Sequence, residues 1–187
     1  MGGGMGSSRG FDLAIALALG ILGAPLFLLA ALALRLEGRG PILHRSPRLG
    51  RDGRPFGLLR FRTMAEGRLT PVGRVLRECS LDDLPNLLNV LRGEMAIVGP
   101  RPTEPERVDL ADPAWREVLA VRPGLVSHAI VTKARAYNAA SPAEKLSLER
   151  DYVRRRSPGG DARLLAAALR ALVASRGNIK ARGRPKG

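Results

Sequence analysis

The sequence predicts an α+β protein. An apolar N-terminal segment enters a membrane, and a compact, mostly helical domain with a small β-hairpin or sheet and interfacial helices follows it. Three observations carry this. Residues 13–34 hold no charge, whereas the chain after them is rich in arginine. Residues 40–64 run out and back around an Asp52-Gly53 turn signal. From Leu84 onward, apolar residues recur at helical spacing between start and stop signals. The 187 residues suffice for one compact domain, and a 45% hydrophobic share argues against wholesale disorder.

Composition removes several function classes. Aromatics are only 4%, too few for a stacking platform for single-stranded nucleic acid. The lone Cys79 excludes an intramolecular disulfide, and the two histidines, His44 and His128, lack any zinc-ligand pattern. Lys and Arg number 31 against 17 Asp and Glu, a formal net charge of +14. Such a surface seeks phosphates: nucleic acid, anionic lipid or nucleotides.

Taken in order, residues 1–10 are Gly/Ser-rich and read as a flexible N-terminus. The apolar run, within residues 11–36, is long enough for a helix to cross a hydrocarbon core. Three readings stand side by side. A signal peptide would use Arg9 and an Ala31-Leu32-Ala33 cleavage site. A simple anchor would span the bilayer. A third helix would enter one leaflet, break at Ala24-Pro25 and return, because Pro25 removes a backbone hydrogen bond. Positive charge prefers the cytoplasmic side, and here it brackets both ends, with Arg9 before and Arg35, Arg39, Arg45 and Arg48 after. Asp12 lies at the entry edge, placed to stay at the interface or pair with a basic neighbour.

The 40–64 hairpin carries Arg45, Arg48, Arg51, Arg54, Arg60 and Arg62, either a solvated basic edge or a surface for phosphate or anionic lipid. Leu84, Leu87, Leu88 and Leu91 mark a helix that Gly93 stops, and residues 95–98 read as a short buried strand. Asp112-Pro113 opens another helix, with Gly124 beyond its end. Ser141-Pro142 with Glu144 forms a capping box before a helix to about Arg156. Asp161 opens a last helix whose apolar face is Leu164, Leu165, Ala168, Leu169, Leu172 and Val173, packed in the core or laid on the membrane. Residues 176–187 read as a basic disordered tail.

The densest chemistry lies in Glu78-Cys79-Ser80-Leu81-Asp82-Asp83-Leu84-Pro85. Pro85 fits the first turn of a helix, which makes Ser80 or Asp82 its N-cap. Acids there offset the helix dipole by about 0.3–1 kcal/mol. The same pair also suits catalysis. One carboxylate attacks phosphorus while the other holds Mg²⁺, and Arg77, Arg92 and Arg101 neutralise a diphosphate. Arg101 is held between Pro100 and Pro102. Glu104 and Glu106 read as solvated acids or further ligands, and Cys79 as a small buried residue.

In order, these stretches resemble the small monotopic phosphoglycosyl transferases, a family of bacterial sugar transferases. Phe11-Asp12-Leu13 precedes a run broken at Pro25, and Gly40-Pro41-Ile42-Leu43 leads to Phe61-Arg62-Thr63-Met64. Then come Ser80-Leu81-Asp82-Asp83-Leu84-Pro85, Asn89-Val90-Leu91, Val98-Gly99-Pro100-Arg101-Pro102 and Arg122-Pro123-Gly124. The likeness covers residues 9–174. It implies transfer of a sugar-1-phosphate from a UDP-sugar to undecaprenyl phosphate. UMP is released through a covalent aspartyl-phosphosugar, as the first membrane step of polysaccharide or glycoprotein assembly. Carried over, Asp82 is the nucleophile, Asp83 the second acid and Mg²⁺ ligand, and Arg60, Arg77 and Arg101 handle substrate phosphates. Ala24 and Pro25 form the membrane break of a re-entrant helix. Residues 37–175 become a cytoplasmic catalytic domain at the bacterial inner membrane, in contact with lipid and not with nucleic acid. A homo-oligomer is compatible with the sequence. The family more often has Glu at Asp83, Ser-Pro at Ala24-Pro25 and Lys at Arg60. It also often carries a Thr-Gly and a Gln-Val after the Arg-Pro-Gly, where Val126-Ser127-His128-Ala129-Ile130-Val131 stands here. Two rivals remain: a non-enzymatic basic module anchored at the membrane, binding anionic lipid or nucleic acid, and an inactive scaffold of the same fold. A binding module needs neither the acidic pair before Pro85 nor the Pro-Arg-Pro turn.

Overall fold

The computed structural model describes residues 8–129, 131 and 139–182. Helix α1 (Arg9–Glu37) leads into the hairpin β1 (Leu43–Leu49) and β2 (Pro55–Phe61). A minimal hairpin, β3 (Met64–Ala65) and β4 (Arg68–Leu69), precedes α2 (Pro71–Glu78), α3 (Asn86–Arg92), β5 (Ala96–Val98), α4 (Pro113–Leu119) and β6 (Gly124–Val126). The helices α5 (Pro142–Arg155) and α6 (Pro158–Arg182) close the chain. The mixture of helices and small sheets agrees with the α+β expectation.

α1 runs as one helix through Ala24-Pro25, with Ser8 as its N-cap. One stripe packs on the domain: Ala16 and Leu34 are fully buried, and Ile15, Leu19, Phe27 and Ala31 touch the two core clusters. Gly23 continues the stripe, since a Cβ there would lie 3.2 Å from Leu84 Cδ1. The other face, with Leu17, Ile21, Leu22, Leu28, Leu29, Leu32 and Leu36, is exposed and apolar.

Polar bonds fix both ends of α1. Arg9 donates to Val90 O at 2.6 Å and Leu91 O at 2.9 Å, satisfying carbonyls at the end of α3. Asp12 Oδ1 accepts from Ile97 N in β5 at 3.0 Å. At the far end Arg62 donates to Leu34 O at 2.9 Å, and Glu37 Oε1 accepts from Val72 N at 2.7 Å. Of the two roles expected of Asp12, the interfacial one is not taken: the side chain is buried against β5. Asp12→Ala is expected to cost about 1–3 kcal/mol by orphaning the Ile97 N–H, with Asp12→Asn costing less. Thermal melts in detergent check this.

The β1–β2 ladder is antiparallel from Leu43↔Phe61 to Leu49↔Pro55. Asp52 (φ 59°) and Gly53 (φ 71°) supply the left-handed turn that the sequence predicts. β5 and β6 pair in parallel, Ala96↔Gly124 and Val98↔Val126. Asn89, fully buried, joins α3 to β2: its Oδ1 accepts from Leu59 N at 3.0 Å and its Nδ2 donates to Gly57 O at 2.9 Å. Leu58, Leu87, Val90, Met95, Ile97 and Tyr152 build one core cluster around this suture. Phe61, Leu76, Ala30 and Leu34 build a second, where the Phe27 and Phe61 rings lie 4.8 Å apart.

The Ser141 capping box and the Asp112 cap form as expected. α4 is tied to α5 by Glu117, which pairs with Arg150 Nε at 3.0 Å and Arg154 Nε at 2.6 Å. The last helix starts at Pro158, a turn before the expected Asp161. Ser157 Oγ accepts from Gly160 N at 3.1 Å, while Asp161 is buried and accepts from Tyr152 Oη at 2.9 Å. Leu164 and Leu165 pack on the core, and Leu169 is 49% exposed. The side chains of Leu172 and Val173 lie outside the description. α6 reaches Arg182 and so takes in the first part of the tail expected to be disordered, while residues 183–187 lie outside the described residues.

Candidate active site

The acidic pair sits in a turn between two helices, not at a helix N-terminus. α2 ends in a Schellman arrangement: Leu81 N donates to Leu76 O at 2.8 Å and Ser80 N to Arg77 O at 3.1 Å. Ser80 takes the left-handed position (φ 55°) that this geometry requires. Single-turn bonds follow, Leu84 N to Leu81 O and Asn86 N to Asp83 O. α3 begins only at Asn86, preceded by Pro85 as an N-cap with no side-chain bond. Neither Ser80 nor Asp82 is the cap that the sequence reading assigned. The reason is tertiary: Phe61 N donates to Asp82 O at 3.0 Å, which ties that backbone to the end of β2.

The two carboxylates differ in their partners. Asp83 Oδ1 is clamped by Arg60 Nε at 2.8 Å and by Asn86 Nδ2 at 3.2 Å. Asp82 forms no ion pair among the described residues. Burial pushes its carboxyl above the ordinary aspartate range, and the charge of Asp83 adds to this, against Arg60 and Arg77. Arg77 is oriented by its Nε bond to Thr63 Oγ1 at 3.1 Å.

A cavity of about 590 Å³ opens beside the pair, within the range of small-ligand sites. Asp83, Arg60 and Arg101 line it, together with Arg48, Asn86, Trp115, Lys145 and Glu149. Asp82 and Arg77 are not among its lining residues. The structure thus brings Arg60, Arg101 and Asp83 together as expected, and sets Arg77 on the Asp82 side. Glu104 lines the cavity and is about 37% exposed, in keeping with the solvated reading, but it is not without partners. It pairs with Arg48 Nη1 at 2.7 Å and Arg107 Nε at 2.8 Å, and this bonding holds its carboxyl below the usual range. That clamp joins the loop after Arg101 to β1. Cys79 is half-buried at the C-terminal end of α2 rather than near a helix start. Arg48, Arg60 and Arg62 are engaged within the fold, so half of the hairpin's arginines named above are not a free basic edge.

Asn86, Lys145, Glu149 and Trp115 were not anticipated as site residues, whereas Ser127 lies in the stretch after Arg122-Pro123-Gly124 that was expected to touch substrate. Only Asn86 had a local signal, a spacing of three from Asp83 that suits a side-chain bond. Among the described residues, no group of three or more His, Cys, Asp and Glu is placed to hold a metal ion. A single carboxylate still suits Mg²⁺, which keeps several waters and shares substrate phosphates. Asp83, about 42% exposed and facing the arginine-lined cavity, fits that donor set.

The fold thus lays one long apolar helix on a small α+β domain, with a carboxylate pair beside an arginine-lined cavity. The profile of the bacterial sugar transferases matches residues 5–175, and the chain belongs to that family. It is 34% identical to the exopolysaccharide production protein ExoY of Sinorhizobium fredii, over 92% of this chain and 88% of the relative. A UDP-glucose:undecaprenyl-phosphate glucose-1-phosphate transferase of Caulobacter vibrioides is 44% identical over 66% of this chain and 52% of its own length. An undecaprenyl-phosphate glucose phosphotransferase of Komagataeibacter xylinus is 34% identical over 90% of this chain and 36% of its own length. The chain therefore spans about half or less of these last two relatives.

Proposed function

We propose that this chain transfers a sugar-1-phosphate from a UDP-sugar to undecaprenyl phosphate and releases UMP through a covalent intermediate on Asp82. The observation that carries the assignment is the unequal engagement of the acidic pair. Asp83 is paired with Arg60 and Asn86, which suits an oriented ligand, whereas Asp82 has no ion pair among the described residues, which suits a nucleophile. A carboxylate oxygen of Asp82 attacks the sugar-linked phosphorus. The bond from that phosphorus to the UMP oxygen breaks, and UMP leaves with the bonding pair. An oxygen of undecaprenyl phosphate then attacks the same phosphorus, and the Asp82 carboxylate is regenerated. Arg60 and Arg101 offer charge to the diphosphate from the cavity wall, and Arg60 and, to a lesser extent, Arg77 oppose the rise in the Asp82 pKa. Asp83 is the residue that would hold Mg²⁺, whose bound charge would offset that of the phosphates.

UMP release from a panel of UDP-sugars, with and without undecaprenyl phosphate and Mg²⁺, tests this directly. Multiple-turnover release is expected to need both lipid phosphate and metal and to stop with chelator, whereas without lipid at most about one UMP per enzyme is expected, from formation of the covalent intermediate. Sustained lipid-independent turnover would sink the transfer reading. The reaction needs ionised Asp82, so kcat/KM is expected to fall on acidification with a midpoint above that of an ordinary aspartate. A rate that does not fall on acidification contradicts the assignment.

The re-entrant topology is part of the same reading. A straight helix of 29 residues would be about 43 Å long, and spanning would part its ends across the bilayer. Here Arg9 and Glu37, at opposite ends, bind the same domain. A helix bent at Pro25, with its exposed leucine face in one leaflet, keeps both ends cytoplasmic at the inner membrane. Cysteines introduced at Ser8 and Gly38 are then expected to react with impermeant reagent from the same side of oriented vesicles.

A further inference from the structure

Asn86 is only 3% exposed, yet it lines the cavity. Its Nδ2 donates to Asp83 Oδ1 at 3.2 Å. An ionised carboxylate only accepts, so the amide nitrogen must face Asp83 and the amide oxygen must face away. That oxygen, Oδ1, is buried and has no hydrogen-bond partner among the described residues. Buried acceptors without a donor are rare, and one on a cavity wall marks where a ligand brings a donor. On the same cavity, Glu149 is 5% exposed and its Oε1 accepts from Ser127 Oγ at 2.9 Å. The wall between the cavity arginines and α5 thus presents one fixed acceptor, Asn86 Oδ1, beside the Ser127–Glu149 pair.

We propose that this wall is the subsite for the transferred sugar, and that Asn86 Oδ1 accepts a hydrogen bond from one of its hydroxyl groups. The inference rests on the UDP-sugar reading. Ionised phosphates carry acceptors only and would leave Oδ1 unpaired, and so would a lipid tail. A hydroxyl-rich group satisfies it. Two such groups exist on the donor, the hexose and the ribose. Asn86 is bonded to Asp83, the immediate neighbour of the attacking Asp82, and the hexose is the group attached to the attacked phosphorus. The ribose lies one phosphate further away. Asn86 is therefore a specificity residue for the hexose as well as a positioning residue for Asp83.

Calorimetric binding to the Asp82→Asn protein, which holds donor without turnover, tests the subsite. UDP-glucose, UDP-galactose and UDP-N-acetylgalactosamine are compared first. The tightest is then compared with its mono-deoxyhexose analogues and its 2′-deoxyuridine analogue. With Asn86 present, one deoxyhexose donor is expected to bind about tenfold more weakly or worse. With Asn86→Ala added, that donor and its parent bind alike. With Asn86→Asp, which keeps an acceptor but loses the donor to Asp83, the preference returns. The donor series on the Asn86 protein decides the matter even if Asn86→Ala does not fold. Equal binding of all deoxyhexose donors, or an undiminished preference in Asn86→Ala, overturns the proposal. A preference that follows the 2′-deoxyuridine analogue instead places ribose here and overturns the hexose assignment. Hexose preference without UMP release by the unsubstituted enzyme leaves the subsite standing and removes the transfer reading. Absence of binding by every UDP-sugar overturns both.

Discussion

Asp82→Asn is expected to lower UMP release by about 10³-fold or more, because the amide cannot form the covalent intermediate. UDP-sugar binding survives, since the cavity arginines and Asp83 are untouched. The same substitution is expected to raise the melting temperature at neutral pH. The Asp82 carboxyl is held above its ordinary range mainly by burial and then by the charge of Asp83. A carboxyl with a raised folded pKa binds its proton more tightly in the native state than in the unfolded one. Its ionisation therefore works against folding at neutral pH, and that penalty fades as pH falls through the folded pKa. The melting difference between Asp82→Asn and the unsubstituted protein should shrink on acidification. Full turnover by Asp82→Asn would end the nucleophile assignment, and a lower melting temperature at neutral pH would contradict the electrostatic account.

Gly124→Ala is expected to be the most damaging single-carbon addition, costing about 3 kcal/mol or more. A Cβ there would overlap the backbone nitrogen and Cα of Gly99. The reciprocal Cβ on Gly99 would lie 2.6 Å from Arg122 O. These two glycines let the chain cross closely where β5 and β6 pair, with Gly124 N donating to Pro100 O at 2.8 Å and Gly99 N to Val126 O at 3.1 Å. Backbone on both sides leaves nothing flexible to move. The same crossing sets Arg101 and Ser127 at the cavity, so activity should fall with stability. Gly20→Ala is the control: it meets no atom within 4 Å, and helix propensity predicts a stabilisation of at most about 1 kcal/mol. Indistinguishable melts for Gly124→Ala and the unsubstituted protein would show that the crossing is looser than these contacts require.

Local signals were legible wherever a few neighbouring residues decide the outcome. Ser141-Pro142 with Glu144, Asp112-Pro113, Gly93 and the Asp52-Gly53 turn all mark the elements they predict. α2 was overlooked although Thr70-Pro71 is a start signal of the same kind, with Thr70 Oγ1 accepting from Gly73 N at 3.0 Å. β6 carried no readable period because it is three residues long and defined by its pairing with β5. The expected cap at Ser80 or Asp82 failed for a tertiary reason, the bond from Phe61 to the Asp82 carbonyl.

By itself the sequence determined the family, the apolar N-terminal helix, the acidic pair and the arginines that accompany it, because each is written in adjacent residues or short spacings. Only the tertiary structure decided how these parts are used. It paired Asp83 with Arg60 and left Asp82 without an ion pair among the described residues. It set Arg77 apart from the cavity and drew Glu104 into a clamp between Arg48 and Arg107. It buried Asp12 against β5 and turned Asn86 and Glu149 toward a common cavity. Those outcomes depend on hydrogen bonds and burial between residues far apart in the chain, and no local pattern encodes which of several like-charged side chains will meet.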